Sequence, residues 1–345
     1  MTPVVIAHRG ASGYRPENTL AAIEFAVELG AEWIELDLVS TSDHVLVIRH
    51  ENEISSTTDI AAHPEFADRR TTRHIDGEPL TGWFTEDFTV AELKSLRAVE
   101  RRPDLRPASA RYDGRYEVPT LADVLTCLAE VNAARSVPVG AYLELKHPTY
   151  FAGRGLGLVE PLLADLARHD LLGADAPLWL ESMEVSVLRE LASRVACPLT
   201  QLMMAGAPYD LVASGDPRTY RDLCTPAGLA EIAGYASRIG PSKHQVLPRD
   251  GKHRINAPSR LVGDAHAAGL GVHVWTLRDE NTYLPANLRI GRSEAAKGDA
   301  EAEYFAFFDA GVDGVFTDFV DTAHAARSVW LGGRSLTRSE SGSTQ

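Results

Sequence analysis

The segment Trp33-Ile-Glu-Leu-Asp-Leu-Val39, with Val45-Leu-Val-Ile-Arg-His50 close behind it, decides how this chain folds. Glu35 and Asp37 lie two apart in an apolar, β-favouring run, so their side chains leave the same face of one strand. Two carboxylates aimed at one spot repel, and desolvating them is costly. The arrangement is tolerable if a cation lies between them or if one stays protonated. The loop Thr41-Ser-Asp-His44 is too short for a crossover helix, which needs roughly a dozen residues. Residues 45–50 therefore fold back as a hairpin arm. A turn centred on Ser42 and Asp43 would set His50 opposite Glu35 and Ile48 opposite Asp37.

Upstream, Val4-Val-Ile-Ala-His8 reads as a short buried strand ending in Arg9-Gly-Ala-Ser-Gly13. Asn18 or Thr19 caps a helix with Leu20, Ile23 and Val27 on one face, and Gly30 is a natural C-terminal stop. This is a strand–helix–strand unit of the parallel type. Residues 51–118 are polar and break the rhythm. They read as an insertion or small subdomain, with Trp83, Phe84 and Phe88 offering a modest core. Alternation resumes with a helix over Leu121–Ala134, capped by Thr120. Further strands are expected at Gly140–Leu145, Leu178–Ser182, Leu199–Met203, Ser237–Ile239, Gly271–Thr276 and Gly314–Thr317. With the strands near 4 and 33 these make eight, which points to an α/β fold of the (β/α)8 TIM-barrel type over 1–330. A doubly wound sheet is the competing architecture. Residues 331–345 are expected to be a disordered tail.

Of 345 residues, 44% are hydrophobic and 24% charged, within the range of globular proteins. The net charge of −14 argues against nucleic acid or an anionic membrane as the main partner. No apolar run approaches the ~20 residues of a membrane span, so no stable membrane anchor is expected. The opening residues lack an export signal. A cytoplasmic location is the default expectation, with the mature form of an exported protein left open. Cys127, Cys197 and Cys224 show no paired spacing and read as buried free thiols. Nothing in the sequence argues a particular oligomeric state.

In a barrel, residues at the C-terminal ends of strands meet over one mouth. That places His8, Arg9, Glu35, Asp37, Glu144, Lys146, Trp275 and Asp318 together, with His50 delivered by the hairpin. Such a set suits a divalent cation held by oxygens, a phosphate held by Arg and Lys, and an acid–base pair. Each member has a plainer reading. His8 could bond backbone, Glu144 and Lys146 could be a simple ion pair, Asn18-Thr19 only a cap, and Trp275 and His273 barrel core. Their convergence at strand ends is what favours chemistry.

The ordered set His8-Arg-Gly-Ala, Pro16-Glu-Asn-Thr19, Glu35-Leu-Asp37, His50, Glu144-Leu-Lys146 and Gly314-Val-Phe-Thr-Asp318 resembles the glycerophosphodiester phosphodiesterase family, over about residues 4–325. The insertion, Val118-Pro-Thr and Ile239-Gly-Pro241 are similar to the longer bacterial periplasmic-type members. The resemblance implies a TIM barrel. It implies Glu35, Asp37 and Glu144 as ligands of one Ca²⁺ or Mg²⁺ ion, His8 and His50 as the acid–base pair, and Arg9 and Lys146 as phosphate contacts. Trp275 joins them as a substrate-binding residue. The expected reaction is hydrolysis of a small glycerophosphodiester to glycerol 3-phosphate and an alcohol, with His50 as base and His8 as acid. The alternatives are phospholipase D-like cleavage of lysophospholipids, for which Tyr14, Met183 and Trp275 offer too little apolar surface, and a non-catalytic phosphate-ligand binding protein. Three departures from the family pattern stand out: Glu51 after His50, Val320 after Thr317-Asp318, and Glu181 where an uncharged polar residue is expected. Glu181 is either an extra ligand or a group behind the ligands.

Overall fold

A computed structural model describes residues 2–341. Its strands are β1 (Val4–His8), β2 (Trp33–Ser40), β3 (Leu46–Ile48), β4 (Thr71–Ile75), β5 (Glu78–Gly82), β6 (Gly140–Leu145), β7 (Leu178–Ser182), β8 (Leu199–Met203), β9 (Arg238–Pro241), β10 (Gly271–Leu277) and β11 (Gly314–Thr317). Strands β1, β2 and β6 to β11 pair in parallel, and the β1–β2 ladder closes them into an eight-stranded barrel. Helices follow the strands around the outside, among them Leu20–Glu28, Leu121–Asn132, Val159–Arg168, Val185–Ala192 and Ala300–Asp309. The expected (β/α)8 barrel is the observed fold.

Alternation along each strand splits the apolar residues into two populations. Val5, Ala7, Ile34, Leu36, Leu38 and Leu143 face outward and pack with Ile23, Val124 and Leu128 of the helices in one contiguous core. Burying each such side chain contributes about 1.5–3 kcal/mol. The opposite parity fills the barrel itself. Ile6, Tyr142 and Phe316 pack with Val4, Trp33, Trp179 and Trp275 as a separate inner cluster. Trp33 stacks on Trp179 with ring centroids 3.5 Å apart. One step higher on the same strand faces stand His8, Glu35, Glu144 and Glu181.

Strand β2 outruns its neighbour. It pairs with β1 only as far as His8↔Glu35, and its exposed upper edge is then taken up by the antiparallel arm β3. The arm's register differs by one residue from the sequence expectation: Leu38, not Asp37, pairs with Ile48. The turn is a three-residue loop closed by Thr41 N donating to Val45 O, with His44 in the left-handed region (φ 61°). A one-residue slip would turn His50 to the wrong face of a continued strand. The ladder ends at Ile48, however, and the irregular Arg49-His50 brings the imidazole back over β2. Arg49 itself is buried and staples the loop before the first helix, donating from Nη2 to Glu17 O and Asn18 O, both at 3.1 Å.

Residues 51–118 carry the β4–β5 hairpin and the helix Val90–Ser95, capped by a reciprocal Thr89–Glu92 box. The insertion does not rest on a core of its own: Ile54, Ile60, Phe66, Phe88, Leu93 and Leu96 belong to the same apolar core as the barrel. The last helix, Val320–Ser341, runs on into the stretch expected to be disordered. Its first turns pack on the barrel, and extending a nucleated helix costs little per residue. Residues 342–345 of the expected tail lie outside the described residues.

Gly140 faces Trp33 so closely that an added Cβ would lie 2.3 Å from the indole, whereas a Cβ on Gly153 would meet nothing within 4 Å. Gly140→Ala is expected to lower the unfolding free energy by about 1–3 kcal/mol. Gly153→Ala should stay within about 0.5 kcal/mol of the parent. Urea unfolding of both variants checks this, and equal midpoints would contradict the tight Trp33 contact.

Candidate active site

The carboxylates form a row across three adjacent strands. Asp37 on β2 is the register partner of Glu144 on β6, and Glu144 that of Glu181 on β7, while Glu35 sits one step lower opposite His8. All four are buried. Glu35, Glu144 and Glu181 offer oxygens that all lie within 4.8 Å of one another. Asp37 stands beside them, accepting from Asn18 Nδ2 at 2.9 Å, with Arg9 Nε at 3.4 Å and Lys146 Nζ at 3.8 Å. Asn18 is thus more than a helix start: Thr19 caps the helix, and the Asn18 side chain steadies Asp37.

The loop after β1 is held in costly conformations for this purpose. Arg9 and Asn18 both adopt the left-handed region (φ 57° each), and so does His147 after β6 (φ 49°). Such residues cost of order 1–3 kcal/mol apiece and need local compensation. Arg9 N donates to Glu35 Oε2 at 2.9 Å, and Asn18 N donates to Arg9 O at 3.1 Å. Gly10, at φ 76°, lies so near Ala22 that a Cβ would meet its carbonyl carbon at 2.7 Å. The Arg9 guanidinium is paired with Glu17, donating from Nη1 at 3.0 and 3.1 Å. Lys146 donates to Glu144 Oε1 at 2.9 Å and lies 3.2 Å from His50 Nε2.

Each histidine is aligned by its own carboxylate. His8 Nδ1 is 2.6 Å from Asp318 Oδ1, and His50 Nδ1 is 2.5 Å from Glu51 Oε1. An ionised carboxylate only accepts, so both imidazoles carry Nδ1–H and turn Nε2 toward the other site residues. His8 Nε2 is 4.0 Å from Glu35 Oε2. Arginines hold the orienting carboxylates in turn. Asp318 receives Arg106 Nη2 at 2.5 Å and Arg278 Nε at 2.6 Å, and Glu51 receives Arg101 Nη2 at 2.6 Å. Arg101 and Arg106 come from the insertion, across 50 and 212 residues of chain respectively. The sequence reading assigned no role to these arginines, to Arg278 or to Glu17. Arginines in a polar run look like solvated surface, and nothing local marks them.

Burial sets most of the proton affinities. It pushes Glu35 and Glu181 well above the ordinary carboxylate range, helped by Asp37 for the first and Glu144 for the second. Burial also raises Glu144, against the pull of Lys146. Burial would raise Asp37 as well, but His50, Arg9 and Lys146 outweigh it and bring it down to about 2. His8 is lowered to about 4 by burial and then Arg9, with Asp318 opposing. His50 is lowered to about 4 by burial, Arg9 and Lys146. Asp318 stays well below the usual range because Arg278, Arg106 and His8 overcome its burial.

Glu181 Oε2 and Asp37 Oδ1 are buried oxygens with no hydrogen-bond partner among the described residues. Hard oxygen donors in that state fit a divalent cation such as Ca²⁺ or Mg²⁺. The site opens into a cavity of about 920 Å³, and Trp275 lines it with its indole N–H donating to Gly240 O at 2.7 Å. The tip of the β4–β5 hairpin reaches the rim, where Asp76 Oδ2 is 2.6 Å from His147 Nδ1. His273 is buried below, near Tyr142, as the core reading anticipated.

Fold and site together define an α/β-barrel hydrolase with a carboxylate cluster flanked by two oriented histidines. Comparison with known proteins carries this to a family. The family model described as the glycerophosphoryl diester phosphodiesterase family matches residues 8–322. The chain is 31% identical to glycerophosphodiester phosphodiesterase GDPD6 of Arabidopsis thaliana over 335 residues, covering 93% of this chain and 85% of that protein. It is 25% identical to a glycerophosphodiester phosphodiesterase of Haemophilus influenzae, covering 92% and 88%. A phosphodiesterase structure from Oleispira antarctica, in complex with the product sn-glycerol-3-phosphate, shares the fold with TM-score 0.63 at 20% identity, covering 94% and 96%. The chain belongs to the glycerophosphoryl diester phosphodiesterase family and is an enzyme of that class.

Without a cation, the native state keeps protons on Glu35, Glu144 and Glu181 at pH values where the unfolded chain, at an ordinary 4.5, has released them. The native state then binds more protons than the unfolded one, so stability falls as pH rises. His8 and His50 act in the opposite sense, but only below their ordinary 6.5. In the window above that value the raised carboxylates carry the decline, with Glu184, which burial pushes up to about 8, adding a part that does not depend on the cluster. Urea midpoints in EDTA should decline across that window, and Ca²⁺ or Mg²⁺ should flatten the decline. The same slope with and without the ions would contradict a cation at these carboxylates.

Proposed function

We propose that the protein hydrolyses glycerophosphodiesters to glycerol 3-phosphate and an alcohol, by histidine acid–base catalysis at a divalent-metal site. The observation that carries this is the pair of carboxylate-aligned histidines, His8–Asp318 and His50–Glu51, on either side of the buried carboxylates. A protein that only binds phosphate has no use for two oriented proton carriers. The relatives named above, and the sn-glycerol-3-phosphate held by the Oleispira protein, support the substrate class.

Glu35, Asp37 and Glu144 would hold the ion. When bound, it supplies neutralisation of phosphate charge and a lowered pKa for a coordinated oxygen. Lys146 and Arg9 contribute positive charge for the phosphate, with Arg9 also tethered to Glu17. His50 takes the proton from the attacking oxygen. The Lys146 ammonium 3.2 Å from its Nε2 favours the neutral form that a base requires. His8 gives a proton to the leaving alkoxide. The negative phosphodiester arriving beside it raises its proton affinity from the low value of the empty mouth, and Asp318 stabilises the imidazolium. Trp275 offers an apolar surface for the glycerol or alcohol part.

One observation also favours lysophospholipids as substrates. Met183, Leu202, Met204, Tyr209, Val212 and Tyr220 line one wall of the cavity, and Met204 and Val212 are 42% and 55% exposed. That is more apolar surface than Tyr14, Met183 and Trp275 provide. Among the described residues, no helix is long and apolar enough to cross a membrane.

Glycerol phosphate release from glycerophosphocholine, glycerophosphoethanolamine and glycerophosphoglycerol tests the reading, with lysophosphatidylcholine as the acyl-bearing competitor. EDTA should abolish release and Ca²⁺ or Mg²⁺ should restore it. His8→Ala and His50→Ala should each lower kcat by about 10²–10⁴-fold. Near-parental turnover in both variants would refute the acid–base assignment, and preferred cleavage of the lysophospholipid would move the substrate class.

A further inference from the structure

We propose that Glu181 is a fourth carboxylate ligand of the metal site, and that it biases the site toward Ca²⁺ over Mg²⁺. The proposal rests on the metal-site reading above and extends it to a residue outside the Glu35, Asp37, Glu144 set.

Glu181 sits at the C-terminal half of β7, one strand beyond Glu144 and in register with it. It shares the inward parity of Trp179, borders the cavity at the barrel mouth, and is only 1% exposed. Its carboxylate lies with those of Glu35 and Glu144 in the group whose oxygens fall within 4.8 Å of one another. Its Oε2 has no hydrogen-bond partner among the described residues. An unpaired, fully buried carboxylate oxygen costs several kcal/mol unless something positive lies against it. The basic groups at the mouth do not meet that need. Lys146 donates to Glu144 and His50, and the Arg9 head is taken by Glu17 and Asp37. Without a cation, three of the carboxylates keep their protons; once Glu35, Asp37, Glu144 and Glu181 are all ionised to serve as ligands, Arg9 and Lys146 counted wholly toward the cluster still leave two negative charges. A divalent ion is the charge that closes this difference.

Ligand number then separates the two candidate ions. Mg²⁺ demands a tight octahedron, keeps several waters and is usually held by one or two carboxylates. Ca²⁺ accepts six to eight oxygens in loose geometry and binds more tightly as carboxylates are added. Four carboxylates on the rigid strands of one barrel wall suit the larger ion. They also leave fewer positions for the water that Mg²⁺ retains.

The test is metal binding, independent of turnover. Tb³⁺ luminescence, sensitised by the barrel tryptophans, is titrated with the EDTA-stripped protein and then displaced by Ca²⁺ or Mg²⁺. In the Glu181→Gln variant the Ca²⁺ dissociation constant should rise by about tenfold or more, with Mg²⁺ changing by less than about threefold. The Ca²⁺ preference therefore shrinks. Metal-free Glu181→Gln should melt at or above the parent temperature, because a neutral amide replaces a buried carboxyl that must stay protonated without the ion, and should gain less on adding Ca²⁺. Glu181→Asp, which keeps the charge, should fall between the two and serves if the Gln variant does not fold. Parent-like Ca²⁺ affinity in Glu181→Gln would overturn the role of Glu181 while leaving the metal site standing. Failure of the parent to bind either ion would overturn the metal-site reading and this proposal with it.

Discussion

Four carboxylates held on three neighbouring strands, out of water, are the constraint on which the rest of this structure depends. Repulsion among them would be destructive in a floppy scaffold, which would simply splay. Here the ladder between β2, β6 and β7 fixes their spacing, because moving one carboxylate means breaking barrel pairing. The surrounding chemistry is arranged around that fixed charge. Asn18 and Arg9 accept unfavourable backbone angles to reach Asp37 and Glu35, and Lys146 bridges Glu144 and His50. The aromatic layer of Trp33, Tyr142, Trp179 and Phe316 seals the floor, so the field of the carboxylates is little screened from below.

The two histidines are kept apart from the carboxylate row by separate supports. Asp318 directly follows the last strand and Glu51 directly follows the hairpin arm; Arg106 and Arg278 hold the first, and Arg101 holds the second. This layering lets one mouth hold buried carboxylates and two imidazoles a few ångströms apart, each ring with its own fixed partner. The imidazole rings are oriented before substrate arrives, which under the proposed acid–base role would remove a reorganisation cost from the proton transfers.

Much of this was legible in the sequence, because strand parity is a local property. Glu35 and Asp37, and Glu144 and Lys146, announce a shared face by being two apart among apolar neighbours, and eight strand–helix alternations announce the barrel. The hairpin register was not legible to the residue. Its turn places His44, neither Gly nor Asn, in the left-handed region, and the three-residue loop that results shifts the pairing by one. Asn18 looked like a helix cap because its neighbour Thr19 is one. Arg101 and Arg106 were beyond reach, since their partners are set by how residues 51–118 drape over the mouth. Glu181 stood out only as a departure from the pattern of the family the chain resembles, and its unpaired oxygen is a fact of three dimensions.

The His8–Asp318 pair joins positions 310 residues apart. That separation holds in translation as well as in space, so His8 has no orienting partner until everything between β1 and β11 has been made. The barrel seam between these strands closes at the same moment that the dyad forms. A chain in which β11 has not yet docked therefore lacks the carboxylate that aligns the imidazole at position 8. Opening the barrel at that seam and losing the alignment of His8 are therefore one structural event.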